Sequence, residues 1–295
     1  MYEGAFRILR ALGEGSTLTL PSLVRQSGEA RSVVREVLNR YPNWFEQGDE
    51  GLKCTERGLA ALARELVARG AARPRTEAWI DAYDRVAAAR GPAKAELDQV
   101  YATTSSIARR AELLLDAGEH QRGLVFLGDD DLTSAAVQLA GAGRRTTVLD
   151  TDRDILDLLD RVAEEHGFDH VSIEHDLREP VPRALHGRFG AVFTDPPYAL
   201  EGFRLFVSRA VSLLKPDGRL YVCFGHSRRA AERGLQKQRV LCDAGFAVEA
   251  VFEDFNHYHG AESIGARSAL WKCVVTPETR SLVSGSQEGP IYSSR

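Results

Sequence analysis

The sequence predicts an α/β protein: a Rossmann-like, mostly parallel sheet with helices on both faces, preceded by a small N-terminal winged-helix-like domain. Three observations carry this. From Gly123 onward, short apolar runs alternate with loops and amphipathic stretches, the grammar of a parallel sheet covered on both sides. The loops after successive apolar runs carry carboxylates, which sets an acidic series along one edge of that sheet. Residues 1–72 follow a different order of helix, helix-turn-helix, hairpin and helix.

In the N-terminal part, residues 3–12 space their apolar side chains for a helix, and 20–25 and 30–41 repeat the pattern after a polar, Gly-containing turn. A hairpin is expected from 43–47 and 52–54 around the turn at 48–51, and Thr55 then caps a helix over 56–69. DNA contact through Arg31, Arg35 and Arg40 is one use of such a module. Residues 1–72 hold ten Lys and Arg against nine Asp and Glu, so there is no basic surplus, and a packing or dimerisation role is the favoured reading.

The Gly- and Pro-containing stretch 70–77 reads as a linker, and residues 73–122 as linker plus helical lead-in, with helices over 78–89 and 107–117. In the Rossmann-like part, 123–276, strands are expected at 124–127, 146–149, 171–174, 191–194, 218–224, 247–252 and 268–275. Helices are expected to begin near Thr133, Arg153, Gly202 and Arg228. Residues 277–295 read as a polar, disordered tail.

Composition narrows the function. A chain of 295 residues with 43% apolar residues fills a core, and a net charge of −4 argues against broad nucleic-acid affinity and for a small cationic amine as partner. Cys54, Cys223, Cys242 and Cys273 never fall in a C-x-x-C spacing, so they read as reduced thiols. No signal-peptide pattern and no apolar window of ~20 residues is present, and a cytoplasmic protein with no membrane partner is expected, forming a homo-oligomer, a dimer.

The strand-end acids are Asp129, Asp130 and Asp131 after Gly128, then Asp150 and Asp152, then Asp176, then Asp195. Taken singly, Asp129–Asp131 would cap a helix and Asp176 would hold a turn. Taken together, an acid about 20 residues beyond the first loop suits a ribose diol, so a nucleoside-containing cofactor is expected. The first loop lacks the Gly-x-Gly-x-x-Gly that admits a pyrophosphate. At ~4 Å and an effective dielectric of ~20, each carboxylate–phosphate pair would cost about 4 kcal/mol before screening. An adenosyl group on a cationic sulfonium meets no such penalty.

Thr194-Asp195-Pro196-Pro197-Tyr198 is the most specific short motif. Consecutive prolines stiffen the loop and lack N–H donors, leaving acceptors aimed at an amine. It resembles the Asp/Asn-Pro-Pro-Tyr/Phe motif of amino methyltransferases, which implies a methyltransferase-type Rossmann sheet. Together with Gly128-Asp129-Asp130-Asp131-Leu132-Thr133-Ser134 and Asp98-Gln99-Val100-Tyr101-Ala102-Thr103, it makes most of residues 1–275 resemble the branched-chain polyamine synthases, the N4-bis(aminopropyl)spermidine synthases.

That resemblance implies aminopropyl transfer from decarboxylated S-adenosylmethionine to a spermidine-like nitrogen, releasing 5'-methylthioadenosine. The alternative is an amine N-methyltransferase using intact S-adenosylmethionine. The resemblance implies that Asp131, with Asp129 and Asp130 near it, faces the reacting amine, that Asp150 or Asp152 holds ribose, and that Asp176 holds the adenine amino group. An acidic loop favours the dicationic decarboxylated donor. Asp131 is assigned as general base, with Asp195 orienting the amine and Asp129 assisting. The donor set is Gly128, Asp130, Asp150, Asp152, Asp176, Gln99 and Asp195. The acceptor set is Asp98, Tyr101, Asp129, Asp131, Pro196, Tyr198, Asn256 and Tyr258, the aromatic rings suiting polyamine methylenes and ammoniums. His257 and His259 lack a third ligand at fitting spacing, so no metal is expected.

Overall fold

A computed structural model describes residues 3–13, 16–68, 78–141, 145–225, 231–259 and 266–293. Contacts divide the chain into two compact units, Met1–Pro74 and Arg75–Arg295. The expected linker at 70–77 and the expected helix start near Arg228 lie outside the described residues.

The first unit runs α1 (Glu3–Leu12), α2 (Leu20–Ser27), α3 (Arg31–Arg40), β1 (Phe45–Gly48), β2 (Gly51–Cys54) and α4 (Glu56–Ala68). Thr19 caps α2 by accepting from the Ser22 amide, and Gly28 ends it in the left-handed conformation, φ 70°. β1 and β2 pair antiparallel, and Leu18 bridges to Leu52 across the hairpin. The apolar stripes of α1, α2 and α3 close over Phe45 and Leu52. Arg31, Arg35 and Arg40 stay exposed on α3.

The second unit contains α5 (Ala78–Ala88), α6 (Thr104–Asp116), β3 (Leu124–Leu127), α7 (Thr133–Leu139), β4 (Thr146–Asp150), α8 (Arg153–His166) and β5 (His170–Glu174). It continues with β6 (Phe189–Thr194), α9 (Leu200–Leu213), β7 (Leu214–Phe224), α10 (Ala231–Asp243), β8 (Ala247–His257) and β9 (Arg267–Val274). The sheet order is β5-β4-β3-β6-β7-β9-β8. β9 runs antiparallel to β7 and β8, and the other pairings are parallel.

Alternation along the strands builds two cores. Phe126, Phe193, Tyr221 and Cys223 face the layer of α5, α6, α7 and α8. Val125, Leu127, Val192, Val222 and Phe224 face α9 and α10. Strand order reverses between β3 and β6, so a crevice opens outside their carboxyl ends.

Two expectations change. β8 extends to His257, with register shifts around Phe252 and Asn256 and Asp254 at φ 51°, so residues expected in a loop belong to an edge strand. An edge strand needs no apolar alternation on both faces, which hid it. The tail is the second correction: Ile291 is buried, and Arg209 on α9 donates to the carbonyls of Val283 and Gly285. Leu282, Val283, Ile291 and Tyr292 supply the apolar anchors that the polar composition masked, and Gly202 leaves room for the Ile291 carbonyl. No described helix is long and apolar enough to cross a membrane.

Candidate active site

A cavity of about 390 Å³ crosses the carboxyl ends of β4, β3, β6 and β7 and reaches the start of β9. Asp150 lines it from β4, Gly128, Asp130 and Asp131 from the loop after β3, and Asp195, Pro196 and Tyr198 from the loop after β6. Asp98, Gln99 and Tyr258 line it as well. These expected site residues are brought together because strand-end loops of neighbouring parallel strands converge at the switch point.

The three consecutive aspartates have three different environments. Asp129 is a helix cap: its Oδ1 accepts from the Thr133 amide at 2.8 Å and its Oδ2 from the Ser134 amide at 3.1 Å. Burial raises its pKa to about 7. Asp129, expected among the catalytic and acceptor-binding residues, does not line the cavity.

Asp131 is saturated. Its Oδ1 accepts from the Ala102 amide at 2.7 Å and its Oδ2 from Arg110 Nη1 at 2.8 Å. The Tyr83 hydroxyl donates to its carbonyl. A guanidinium and an amide hold this carboxylate, while burial raises its pKa above the ordinary carboxylate range.

Asp130 differs from both. Its carbonyl is anchored by Arg90 Nη1 at 2.7 Å, yet its carboxylate lines the cavity with no hydrogen bond or ion pair among the described residues. Burial first, then the charges of Asp131, Asp195, Asp150 and Asp129, push its pKa well above the ordinary carboxylate range. Of the three, it is the one suited to accept a proton.

Asp195 Oδ2 accepts from Arg110 Nη2 at 2.6 Å and from the Tyr258 hydroxyl at 2.8 Å. Arg110 therefore bridges Asp131 and Asp195, while its Nε donates to Asn256 Oδ1 at 2.7 Å. Asn256 in turn donates to Ser268 Oγ and does not line the cavity. Asn256, expected in the acceptor set, is thus held between Arg110 and Ser268.

Asp150 accepts from the amides of Asp152 and Asp129, locking the first two strand-end loops together. Asp152 lies outside the cavity lining, with its oxygens taken by Lys94 Nζ at 2.6 Å and Gln99 Nε2 at 2.7 Å. The choice between Asp150 and Asp152 as the cavity acid thus falls to Asp150. Asp176, expected at the adenine, is set apart from the cavity: Arg178 Nε and Nη2 grip its Oδ2 at 2.9 and 2.6 Å, holding its pKa below the usual range, and it does not line the cavity. Tyr101 is drawn off by its hydroxyl bond to the Gly91 carbonyl and by Arg90 stacked 3.7 Å from its ring centroid. Asp98 receives the Ser293 amide at 2.7 Å on Oδ2, which brings the tail to the cavity with Tyr292.

Arg110 and Lys237 were missed by sequence reasoning. Both leave one legible signal, a charge on the buried stripe of an amphipathic helix. Arg110 shares its stripe with Ile107, Ala111 and Leu114 on α6, and Lys237 shares its own with Gly234, Val240 and Leu241 on α10. A cation there must find a partner inside the domain.

The cavity suits a sulfonium nucleoside: acids at the β3 and β6 ends, an acid at the β4 end, and at Gly128, φ 69°, a backbone turn that an L side chain would strain. Residues 79–287 match the branched-chain polyamine synthase A C-terminal domain family. The chain belongs to that family. An N(4)-bis(aminopropyl)spermidine synthase of Thermus thermophilus is 34% identical over 207 residues, 70% of this chain and 57% of its own length. The synthase of that name from Thermococcus kodakarensis is 37% identical over 172 residues, covering 55% of this chain and 48% of its own. The chain thus spans about half the length of the curated relatives it matches. The crystal structure of the Thermus thermophilus branched-chain polyamine synthase, in complex with N4-aminopropylspermidine and 5'-methylthioadenosine, superposes with a TM-score of 0.67. It is 26% identical and the match covers 99% of this chain and 92% of that one. The family match includes every strand of the sheet and the loops bearing Asp130, Asp131 and Asp195, but stops before Tyr292 and Ser293.

Proposed function

We propose that this chain transfers an aminopropyl group from decarboxylated S-adenosylmethionine to a nitrogen of a polyamine, giving a branched polyamine and 5'-methylthioadenosine. The observation that carries this is the unpartnered Asp130 carboxylate facing an acidic cavity beside the Asp195-Pro196-Pro197-Tyr198 corner. Names of the relatives and the ligands of the Thermus thermophilus complex support the same reading.

When bound, the donor supplies an electrophilic propyl carbon and leaves as a neutral thioether. Asp150 takes its ribose, and Asp130, Asp131 and Asp98 disfavour a donor that keeps its carboxylate. The acceptor must react as a free amine although alkylamines are protonated near neutral pH, like Lys at ~10.4. Asp130 accepts that proton. Asp195 Oδ1 and the Pro196 carbonyl hold the amine, and Tyr198 packs on its methylenes. Arg110 offsets the charges of Asp131 and Asp195, so the cavity is acidic without all its carboxylates competing for one proton.

The first unit we read as a packing or self-association module with the element order of a winged helix, on a chain working in the cytoplasm as a dimer. Incubation with the decarboxylated donor and spermidine tests the central reading: release of 5'-methylthioadenosine is expected. Release of S-adenosylhomocysteine from the intact donor alone would replace it with amine methylation.

A further inference from the structure

Lys237 is 5% exposed and lines the cavity beside Tyr198 and Phe224. Its Nζ stands 4.5 Å from the ring centroid of Tyr198, 5.3 Å from that of Phe203 and 5.8 Å from that of Phe224. Among the described residues it has no hydrogen bond and no carboxylate within ion-pair distance. Asp195 and Asp98 attract it and Arg233 repels it from farther away, while burial lowers its pKa to about 8.

Aromatic faces around an alkylammonium are the arrangement by which proteins recognise ammonium ligands. Here the chain's own lysine fills it. The position is also placed by topology: Phe224 ends β7 and Tyr198 follows β6, so Lys237 stands in the half of the cavity away from Asp150 on β4. A methionine or leucine would fill the same stripe position without desolvating a charge, so packing alone gives no reason for a lysine.

We propose that Lys237 is a specificity-determining residue that limits acceptor length: its ammonium occupies the aromatic end of the cavity, so an acceptor arm on that side must end short of it. A longer polyamine would bring a second ammonium against the first and contest the same ring faces. This rests on the aminopropyl transfer proposed above, and its acceptor class is a short linear polyamine.

The test compares kcat/KM for spermidine and for the longer spermine in the wild type and in Lys237→Ala, Lys237→Met and Lys237→Arg, reading 5'-methylthioadenosine release. Lys237→Ala is expected to shift the ratio at least tenfold toward spermine, Lys237→Met to shift it less because volume is retained, and Lys237→Arg to keep the wild-type preference. A ratio within twofold of wild type in both Ala and Met variants, or equal losses with both acceptors, overturns the proposal. Should the Ala variant fail to fold, the Met variant reads the charge effect by itself. No product from any amine in the wild type would count against the aminopropyl reading, whereas product with an unmoved ratio counts against Lys237 alone.

Discussion

Arg110 and Lys237 are both buried cations on the apolar stripes of helices, and they meet opposite surroundings. Arg110 is enclosed by Asp131, Asp195 and Asn256, each within hydrogen-bond distance. Lys237 has ring faces and, among the described residues, no carboxylate within ion-pair distance. The same contrast separates neighbours in sequence, Asp131 with both oxygens satisfied and Asp130 with neither among the described residues. Paired charges hold the site's shape. Unpaired ones raise the free energy of the folded domain, and they are the groups left available to a ligand.

Asp130→Asn attacks the contrast hardest. The catalytic rate should fall about 10²- to 10⁴-fold while 5'-methylthioadenosine affinity stays within a few-fold. In the wild type, kcat/KM should rise with pH as Asp130 ionises, on a limb above the ordinary carboxylate value of about 3.9, and that limb should vanish in the variant. A limb that persists would return the base to another carboxylate.

Arg110→Met removes the shared cation, leaving Asp131 with only the longer Arg90 contact at 3.8 Å and Asp195 with no ion pair among the described residues. A loss of about 3–5 kcal/mol in urea unfolding is expected, and wild-type stability would show that the bridge holds nothing. Lys237→Met should act with the opposite sign. A lysine whose folded pKa is lowered to about 8 binds its proton more weakly than in the unfolded chain, so it costs stability below that pH. The substitution should add up to about 3 kcal/mol at pH 7, fading as pH rises toward the unfolded value of about 10.4. A destabilised Met variant would mean that the ring contacts outweigh the desolvation. Asp176→Asn is the smallest test: donor affinity by calorimetry should change less than about threefold, because Arg178 and not the cavity holds that carboxylate. A tenfold loss would restore its adenine role.

The expected strands at 124–127 and 191–194 lie within β3 (Leu124–Leu127) and β6 (Phe189–Thr194), because runs such as Leu-Val-Phe-Leu between turns are local signals. The strand-end acids were legible for the same reason, and Asp130, Asp150 and Asp195 do share one cavity. Less legible was which acid faces it. In Gly128-Asp129-Asp130-Asp131, three identical side chains diverge through Gly128 at φ 69° and Leu132 at φ 55°, backbone states the residue names do not announce. Asp176 and Tyr101 lie off the cavity lining because Arg178 and Arg90 claim them, and a competing side-chain partner leaves no periodic trace.

Pattern alone was enough for the parallel sheet, the acidic edge and the cavity-lining Asp195-Pro196-Pro197-Tyr198 corner, since each follows from residues within one strand and its loop. The division of the carboxylates into a helix cap, a cavity-lining acid without a partner among the described residues and a fixed ion-pair partner came from tertiary packing. Arg110 reaches Asp195 across 85 residues of sequence, and Lys237 meets Tyr198 from a different helix. A charge's partner is a matter of distance in space and of desolvation, and neither is written in the spacing along the chain.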